Sequence, residues 1–570
     1  MRLQINESKN SASLYVVKSF RINGKRSSKV VEKLGTLKEI SEKLNGQDPI
    51  KWAEAYVEEL TQKEKEQTRE VLIKYSPTKI IEKDKQQAFN GGYLFLQKIY
   101  HELKINKICR TISENYKFAF DLDSILSRLV YGRIIFPSSK LATYQLAEKF
   151  IEEPNFELQH IYRSLETIAK ETDHIQAELY KNSFSISKRN TGLLYYDCTN
   201  YFFEIEQEEG IKQYGISKEH RPNPIVQMGL FLDGDGIPLA FDINSGNTNE
   251  QVTLKPLEKK IISDFSLSKF IVCTDAGLAS AANRKFNNIS NRAFITTQSI
   301  KKLKGHLKVW ALERTGWRLP GDNKDYDITA LDEESCRDKT FYKARWINEN
   351  NLEQKLIVTY SIKYRDYQRK IRQKQIERAQ KLIDSNPKKL KKSNPNDFKR
   401  FISKISVTPD GEIAQKDIFK IDLSLIEKEN AYDGFYGCCT NLEDDPIEII
   451  KINNKRWEIE ESFRIMKSEF KARPVYLKRD DRIKAHFTTC FISLMIFRLL
   501  EKKLNDQFTY HEIVDGLRNM NFLNAQGEGY IPTYIRTDFT DALHDSFGFR
   551  TDYQIVNSRQ MKKILKETKM

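Results

Sequence analysis

Apolar positions change their spacing several times along the 570 residues, and each change marks a segment. Near the start, 13–20 and 29–34 alternate like strands around Asn23-Gly24, a dipeptide suited to a tight turn. A β-hairpin over residues 1–36 is predicted, crowded by Lys18, Arg21, Lys25, Arg26 and Lys29. From 37 to 190 the spacing is helical, most clearly at 122–135 and 161–168. Phe136-Pro137-Ser138-Ser139-Lys140 predicts a helix stop and a new start, because proline cannot continue a helix and serine caps the next.

At Gly192 the pattern turns to short apolar runs separated by turn residues. Runs at 193–197, 225–232 and 237–243, the last two divided by Asp233-Gly234-Asp235-Gly236, predict a three-strand meander. A helix over 250–262 and a fourth strand over 270–274 follow, ending at Asp275-Ala276-Gly277. The 184 residues between Asp275 and Glu460 are far too many for a loop, so an insertion is predicted there. It carries a strand at 356–360, a very basic stretch at 363–372 and a Lys/Pro/Asn-rich linker over 386–400. Strand character resumes at Tyr432-Asp433-Gly434-Phe435-Tyr436-Gly437, and an apolar helix is predicted around 486–500.

Residues 453–467 predict an amphipathic helix whose polar positions are selective. At 100° per residue, Asn453, Arg456, Glu460 and Lys467 fall within roughly 60° of one another. Ile459, Phe463, Met466 and Phe470 form the adjoining apolar stripe, while Glu458 and Glu461 project elsewhere. By itself this is what a solvated charged face looks like.

Composition narrows the partner. Lys and Arg total 94 against 79 Asp and Glu, a net charge of +15 spread along most of the length, which favours a polyanion such as nucleic acid. The first residues hold no apolar run of signal-peptide length, and no segment approaches the roughly eighteen apolar residues of a membrane span. A cytoplasmic protein without a membrane partner is therefore expected. The seven cysteines form no Cys-x-x-Cys pair and have no histidines at zinc-ligand spacing, so neither disulfides nor structural zinc are expected.

Asp197 on the first meander strand, Asp275 after the fourth strand and Glu460 are three carboxylates that this element order could bring together. Clustered carboxylates suit two Mg²⁺ ions about 3.5–4 Å apart, which activate the attacking oxygen and stabilise the leaving one in phosphoryl transfer. With Tyr196-Asp197-Cys198-Thr199-Asn200, Thr274-Asp275-Ala276-Gly277-Leu278 and Arg456/Glu460/Lys467 in place, the chain resembles the DDE transposases of bacterial insertion sequences. The resemblance is to the branch with a Tyr-x-x-Arg-x-x-x-Glu-x-x-x-x-x-x-Lys (YREK) signature. The chain departs from that signature at its first position, where it has Asn453.

The resemblance implies an α/β fold: a ribonuclease H-like catalytic core (191–300 and 441–500) interrupted by a mainly β insertion domain (301–440). It also implies a helical DNA-binding domain (37–190) and a helical C-terminal region (501–570). Asp197, Asp275 and Glu460 would be the catalytic metal ligands for two Mg²⁺ (or Mn²⁺) ions, and Arg456, Lys467 and Asn453 would contact DNA. The implied reaction is hydrolysis at terminal inverted repeats of double-stranded DNA, then joining of the 3′-hydroxyl to target DNA, by a DNA-bound homodimer at the nucleoid. Relatives that form hairpins stack a flipped base on an insertion-domain tryptophan; Trp310, Trp317 and Trp346 occupy that region, with core packing the first reading for each. The alternatives are a catalytically silent, domesticated DNA-binding protein and a metal-dependent nuclease without strand joining.

Overall fold

Alternating residues make the N-terminal segment a sheet rather than a bare hairpin. In the computed structural model, Arg2–Ser8, Ser11–Ile22 and Lys25–Thr36 pair antiparallel in chain order. The structure describes residues 1–8, 11–22, 25–44, 48–68, 71, 73, 76–385, 396–407, 413–525 and 527–570. The Asn23-Gly24 turn and residues 386–395 of the expected linker lie outside them. Thr36 and Glu39 close a capping box that starts the helix Leu37–Lys43, and Leu14, Ile40 and Ala53 form a small core. Met1–Lys85 with Ala525–Glu528 is one compact unit; Gln86–Asn524 with Gly529–Met570 is the other.

The second unit begins with helices whose ends follow local chemistry. Asp121 caps Leu122–Ile135 by accepting from Ser124 N–H at 3.0 Å, and nearly every residue of that helix is buried. The helix stops at Phe136, and Ser139 caps the next, Lys140–Ala147, at Ala142 N–H (3.1 Å). Asp480–Lys503 is by length and composition apolar enough to cross a bilayer, contrary to the sequence expectation that no segment approaches a span. With 94% of its apolar window buried, it is a core helix, packed against Leu122–Ile135 and Leu158–Lys170.

An eight-stranded sheet organises the rest. From edge to edge its strands are Thr340–Glu349, Leu352–Ser361, Phe435–Thr440, Arg292–Thr297, Phe270–Thr274, Leu193–Phe202, Ile225–Asp233 and Pro238–Ser245. The last three form the expected antiparallel meander, and Phe270–Thr274 and Arg292–Thr297 add to Leu193–Phe202 in parallel. One face of the sheet, through Tyr195, Cys273 and Ile295, joins the core shared with the helices at 446–503. The opposite face, through Leu194, Tyr196 and Val272, packs on Leu254, Leu257 and Ile261 of the helix Glu250–Asp264.

Between Arg292–Thr297 and the Glu460 region the chain makes the two outer strands and then the 24-residue helix Ile362–Ser385. The basic stretch at 363–372 is therefore helical, and the segment extends the central sheet and carries this helix beside its strands. Arg372 anchors the helix to Asp433 at 2.9 Å. All seven cysteines are free, buried thiols.

Glu258 is the one fully buried carboxyl on the helix behind the sheet. Its Oε1 accepts from Asn287 Nδ2 at 2.7 Å, while Oε2 has no hydrogen-bond partner. Burial pushes its pKa up to about 8, against Asn287, Arg292 and Lys255. The folded state therefore keeps a proton that the unfolded state releases above about 4.5, and stability falls as pH rises from there to about 8. Denaturant titrations across this window should show Glu258→Gln matching wild type near pH 4.5 and exceeding it by on the order of 2–5 kcal/mol above pH 8. Parallel pH curves for the two proteins would refute the assignment.

Candidate active site

Strand register alone brings two of the predicted carboxylates together. Parallel pairing ends with Tyr195 beside Cys273, and Asp197 and Asp275 each follow two residues later, Asp275 just past the end of its strand, close enough for their charges to interact. Alternation turns Asp197 to the face that carries Tyr195 and Cys273. On that face Tyr195 Oη donates to Ile452 O at 2.9 Å, and Cys273 Sγ donates to Asn453 Oδ1 at 3.7 Å. Asp197 Oδ1 accepts from Cys198 N–H (2.7 Å) and Asp275 Oδ1 from Leu278 N–H (3.0 Å). Burial pushes the Asp197 carboxyl up to about 6 and Asp275 adds to the rise, while Lys218, Cys198 N–H and Arg456 oppose it.

Three cations surround this pair. Lys218 Nζ donates to Cys198 O and pairs with Glu250 at 3.1 Å; burial works against its charge, but Asp197 and Glu250 hold it above the ordinary lysine value. Arg456 Nη1 donates to Thr297 Oγ1 at 2.9 Å, and its buried Nε has no hydrogen-bond partner. Burial opposes the Arg456 charge, while Tyr436, Cys273, Asp275 and Asp197 favour it. Lys467 lies 3.7 Å from Glu219, and burial together with Lys218 lowers it to about 8 against the pull of Asp197.

The single helix expected over 453–467 is three pieces. Pro446–Asn454 ends before Arg456, tight i→i+3 bonds such as Arg456 N–H to Asn453 O (3.3 Å) turn the chain, and Trp457–Arg464 follows. Ile465–Glu469 then widens into a π-turn closed by Phe470 N–H to Ile465 O at 2.8 Å. Such widenings re-aim side chains at functional sites, and here Lys467 sits within one. The predicted stripe of Ile459, Phe463, Met466 and Phe470 is buried.

Glu460 is exposed one turn beyond Arg456. With Arg456, Trp457, Tyr364 and Tyr436 it lines a cavity of about 400 Å³. Asn453 is not a surface donor: it is 4% exposed, and its amide is committed to Tyr436 Oη (3.0 Å) and Cys273. Tyr436, bonded to the Asn453 amide, also bonds Thr297 Oγ1 at 2.6 Å. Sequence reasoning missed Tyr436, Thr297 and Lys218. Only the Tyr432-Asp433-Gly434 motif pointed near the first, and the other two carry no local signal. Trp317 is fully buried, Lys343 stacks over Trp310 and Trp317, and Trp346 is 43% exposed.

Two neighbouring aspartates, one of them held up by burial and by the other's charge despite Lys218 and Arg456, form a hard oxygen donor set, which fits a divalent cation. Asp197, Asp275 and Glu460 nevertheless do not bring their oxygens within 4.8 Å of one another. Among the described residues the group that does so is Asp541, His544 and Asp552. There Arg536 and Arg550 already bond Asp541 (2.7 and 2.8 Å), and Arg550 bonds Asp552 (2.7 Å), so guanidinium groups supply the positive charge a metal would.

The model of the transposase DDE domain matches residues 202–496, just over half of the chain, and spans Asp275 and Glu460 but begins after Asp197. No curated protein matches the sequence. Among solved structures, a cryo-EM piggyBac transposase synaptic complex with hairpin DNA is similar over 84% of this chain and 84% of its own, at 8% identity and a TM-score of 0.36.

Because Asn453 is buried with its amide committed to Tyr436 and Cys273, the larger tyrosine placed there should harm the fold. Asn453→Tyr is expected to lose about 1–3 kcal/mol of unfolding free energy in urea titration, from overpacking. A variant as stable as wild type would show that the space is open.

Proposed function

The chain belongs to the transposase DDE-domain family, and from that premise we propose that it is the DNA transposase of a bacterial insertion sequence, of the YREK branch. The observation that carries this reading is Asp197, on one of two neighbouring parallel strands, close to Asp275 at the end of the other, with Lys218, Arg456 and Lys467 around them. We read the sheet as a ribonuclease H-like core. Its support is the strand order 3-2-1-4-5 over residues 193–297, with strands 1–3 antiparallel and 4–5 parallel to strand 1. The outer strands and the helix Ile362–Ser385 then belong to the insertion, and the helices of 37–190 are candidates for holding the terminal repeat.

Asp197, Asp275 and Glu460 would hold the metal, with the Glu460 carboxylate moving in from its exposed position. Two Mg²⁺ or Mn²⁺ ions bound there would supply Lewis-acid activation of the attacking oxygen and stabilisation of the leaving one. Arg456, fixed by Thr297 and lining the cavity beside Glu460, turns its guanidinium to a non-bridging phosphate oxygen at the cut. Lys467 and Lys218 add positive charge where the phosphorane's negative charge develops. Water adds to phosphorus and the 3′-oxygen leaves as a hydroxyl; that hydroxyl then attacks a target phosphodiester and displaces its 3′-oxygen. Double-stranded DNA is thus both substrate and partner. We place the active form as a DNA-bound homodimer on the nucleoid, in the cytoplasm.

Cleavage of a labelled inverted-repeat end with Mg²⁺ or Mn²⁺ tests the reading. Asp197→Asn, Asp275→Asn and Glu460→Gln should each lose about 10³-fold or more, whereas Glu458→Gln stays within a few-fold. Wild-type protein giving no more product than Glu460→Gln would sink the catalytic assignment. Cut ends without joined products in a plasmid integration assay would make the protein a nuclease.

A further inference from the structure

A second basic pocket lies beyond the catalytic cluster and is left unused by the chemistry above. It is a cavity of about 280 Å³ lined by Arg133, Lys140, His486, Lys471 and Arg473 together with hydroxyl and apolar groups, and no carboxylate lines it. Lys140 is 6% exposed and Arg133 4%. Lys140 Nζ has no hydrogen-bond partner at all, and Arg133 spends Nη1 on Phe470 O (2.9 Å) but leaves Nε unpartnered. His486 is buried beside them, with Nε2 3.2 Å from Ala472 O.

These groups disfavour one another's charge. Burial and Arg133 lower Lys140 to about 7, and burial, Arg133 and Lys140 hold His486 well below its ordinary value. Buried cations without counter-ions are costly, and proteins pair them. Among the described residues no acid pairs Arg133, Lys140 or His486. The first turn of the helix Lys140–Ala147 opens onto the same space and adds its positive end. Arg473 pairs with Glu219, and Glu219 lies 3.7 Å from Lys467, so the pocket adjoins the catalytic cations.

We propose that the Arg133–Lys140–His486 cavity is an anion site that takes one backbone phosphate of the DNA bound at the adjoining active site. The donor set suits it: a tetrahedral oxyanion offers acceptors to Lys140 Nζ and Arg133 Nε at once. The volume exceeds what one phosphate needs and leaves room for the flanking sugar. The assignment of DNA as the source rests on the transposase reading; the anion site itself does not.

The test uses the full-length protein and Lys140→Met, which removes a buried unpaired charge and should leave the melting temperature equal or higher. Inorganic phosphate, added at constant ionic strength against a chloride control, should raise the melting temperature of wild type and not of Lys140→Met. Duplex binding measured against salt should show Lys140→Met about tenfold weaker, with the log–log slope smaller by about 1. Equal phosphate responses in the two proteins would overturn the anion site. A phosphate response confined to wild type, with identical DNA salt slopes, would overturn DNA as the source and leave free phosphate as the ligand. Wild type that binds no duplex would overturn the transposase reading, while the phosphate comparison would still decide the site.

Discussion

The parallel ladder between Leu193–Phe202 and Phe270–Thr274 is the constraint on which the candidate site depends. Asp197 and Asp275 are far apart in sequence, and the parallel ladder whose last pair is Tyr195 with Cys273 brings them near each other. A slip of one residue would turn one carboxylate to the opposite face, among Leu194, Tyr196 and Leu254. Register is firmly held because both faces of these strands are buried, one on the helices at 446–503 and the other on Glu250–Asp264. The two aspartates are therefore held close together although Asp275 makes Asp197 harder to ionise.

Around that ladder the protein arranges cations by unrelated local means. Lys218 is held by the carbonyl of Cys198, Arg456 by Thr297 at the break between two helices, and Lys467 by a π-turn beside Glu219. Tyr436 ties the Asn453 amide and the Thr297 hydroxyl into one network, so the strand Phe435–Thr440 also orients Arg456. That strand and Arg292–Thr297 are neighbours in one sheet and contribute to the same site.

The second cavity extends the same electrostatic logic. Its cations come from the helix Leu122–Ile135, the start of the next helix and the core helix Asp480–Lys503. These are rigid elements, which can keep unpaired charges in place at an energetic cost that flexible surface chains would escape by turning to water. The Arg473–Glu219–Lys467 chain makes the two basic regions neighbours.

Local pattern determined much of this protein. The meander, the helix after it, the fourth strand, the Phe136-Pro137 stop and the Ser139 restart all rest on periodicity, proline and capping, which act within a few residues. Spacing also put Glu460 and Arg456 on one side of the chain, and both line the same cavity. Tertiary structure decided the rest. Asn453 turned inward because Tyr436 and Cys273 arrive from distant strands. The helix at 453–467 broke and widened where packing and backbone bonding overrode a uniform 100° turn. Asp480–Lys503, apolar enough for a bilayer, became a core helix because other helices cover it. The unpaired charges of Arg133 and Lys140 were invisible in sequence, since a missing partner is a property of the space around a side chain and not of its neighbours along the chain.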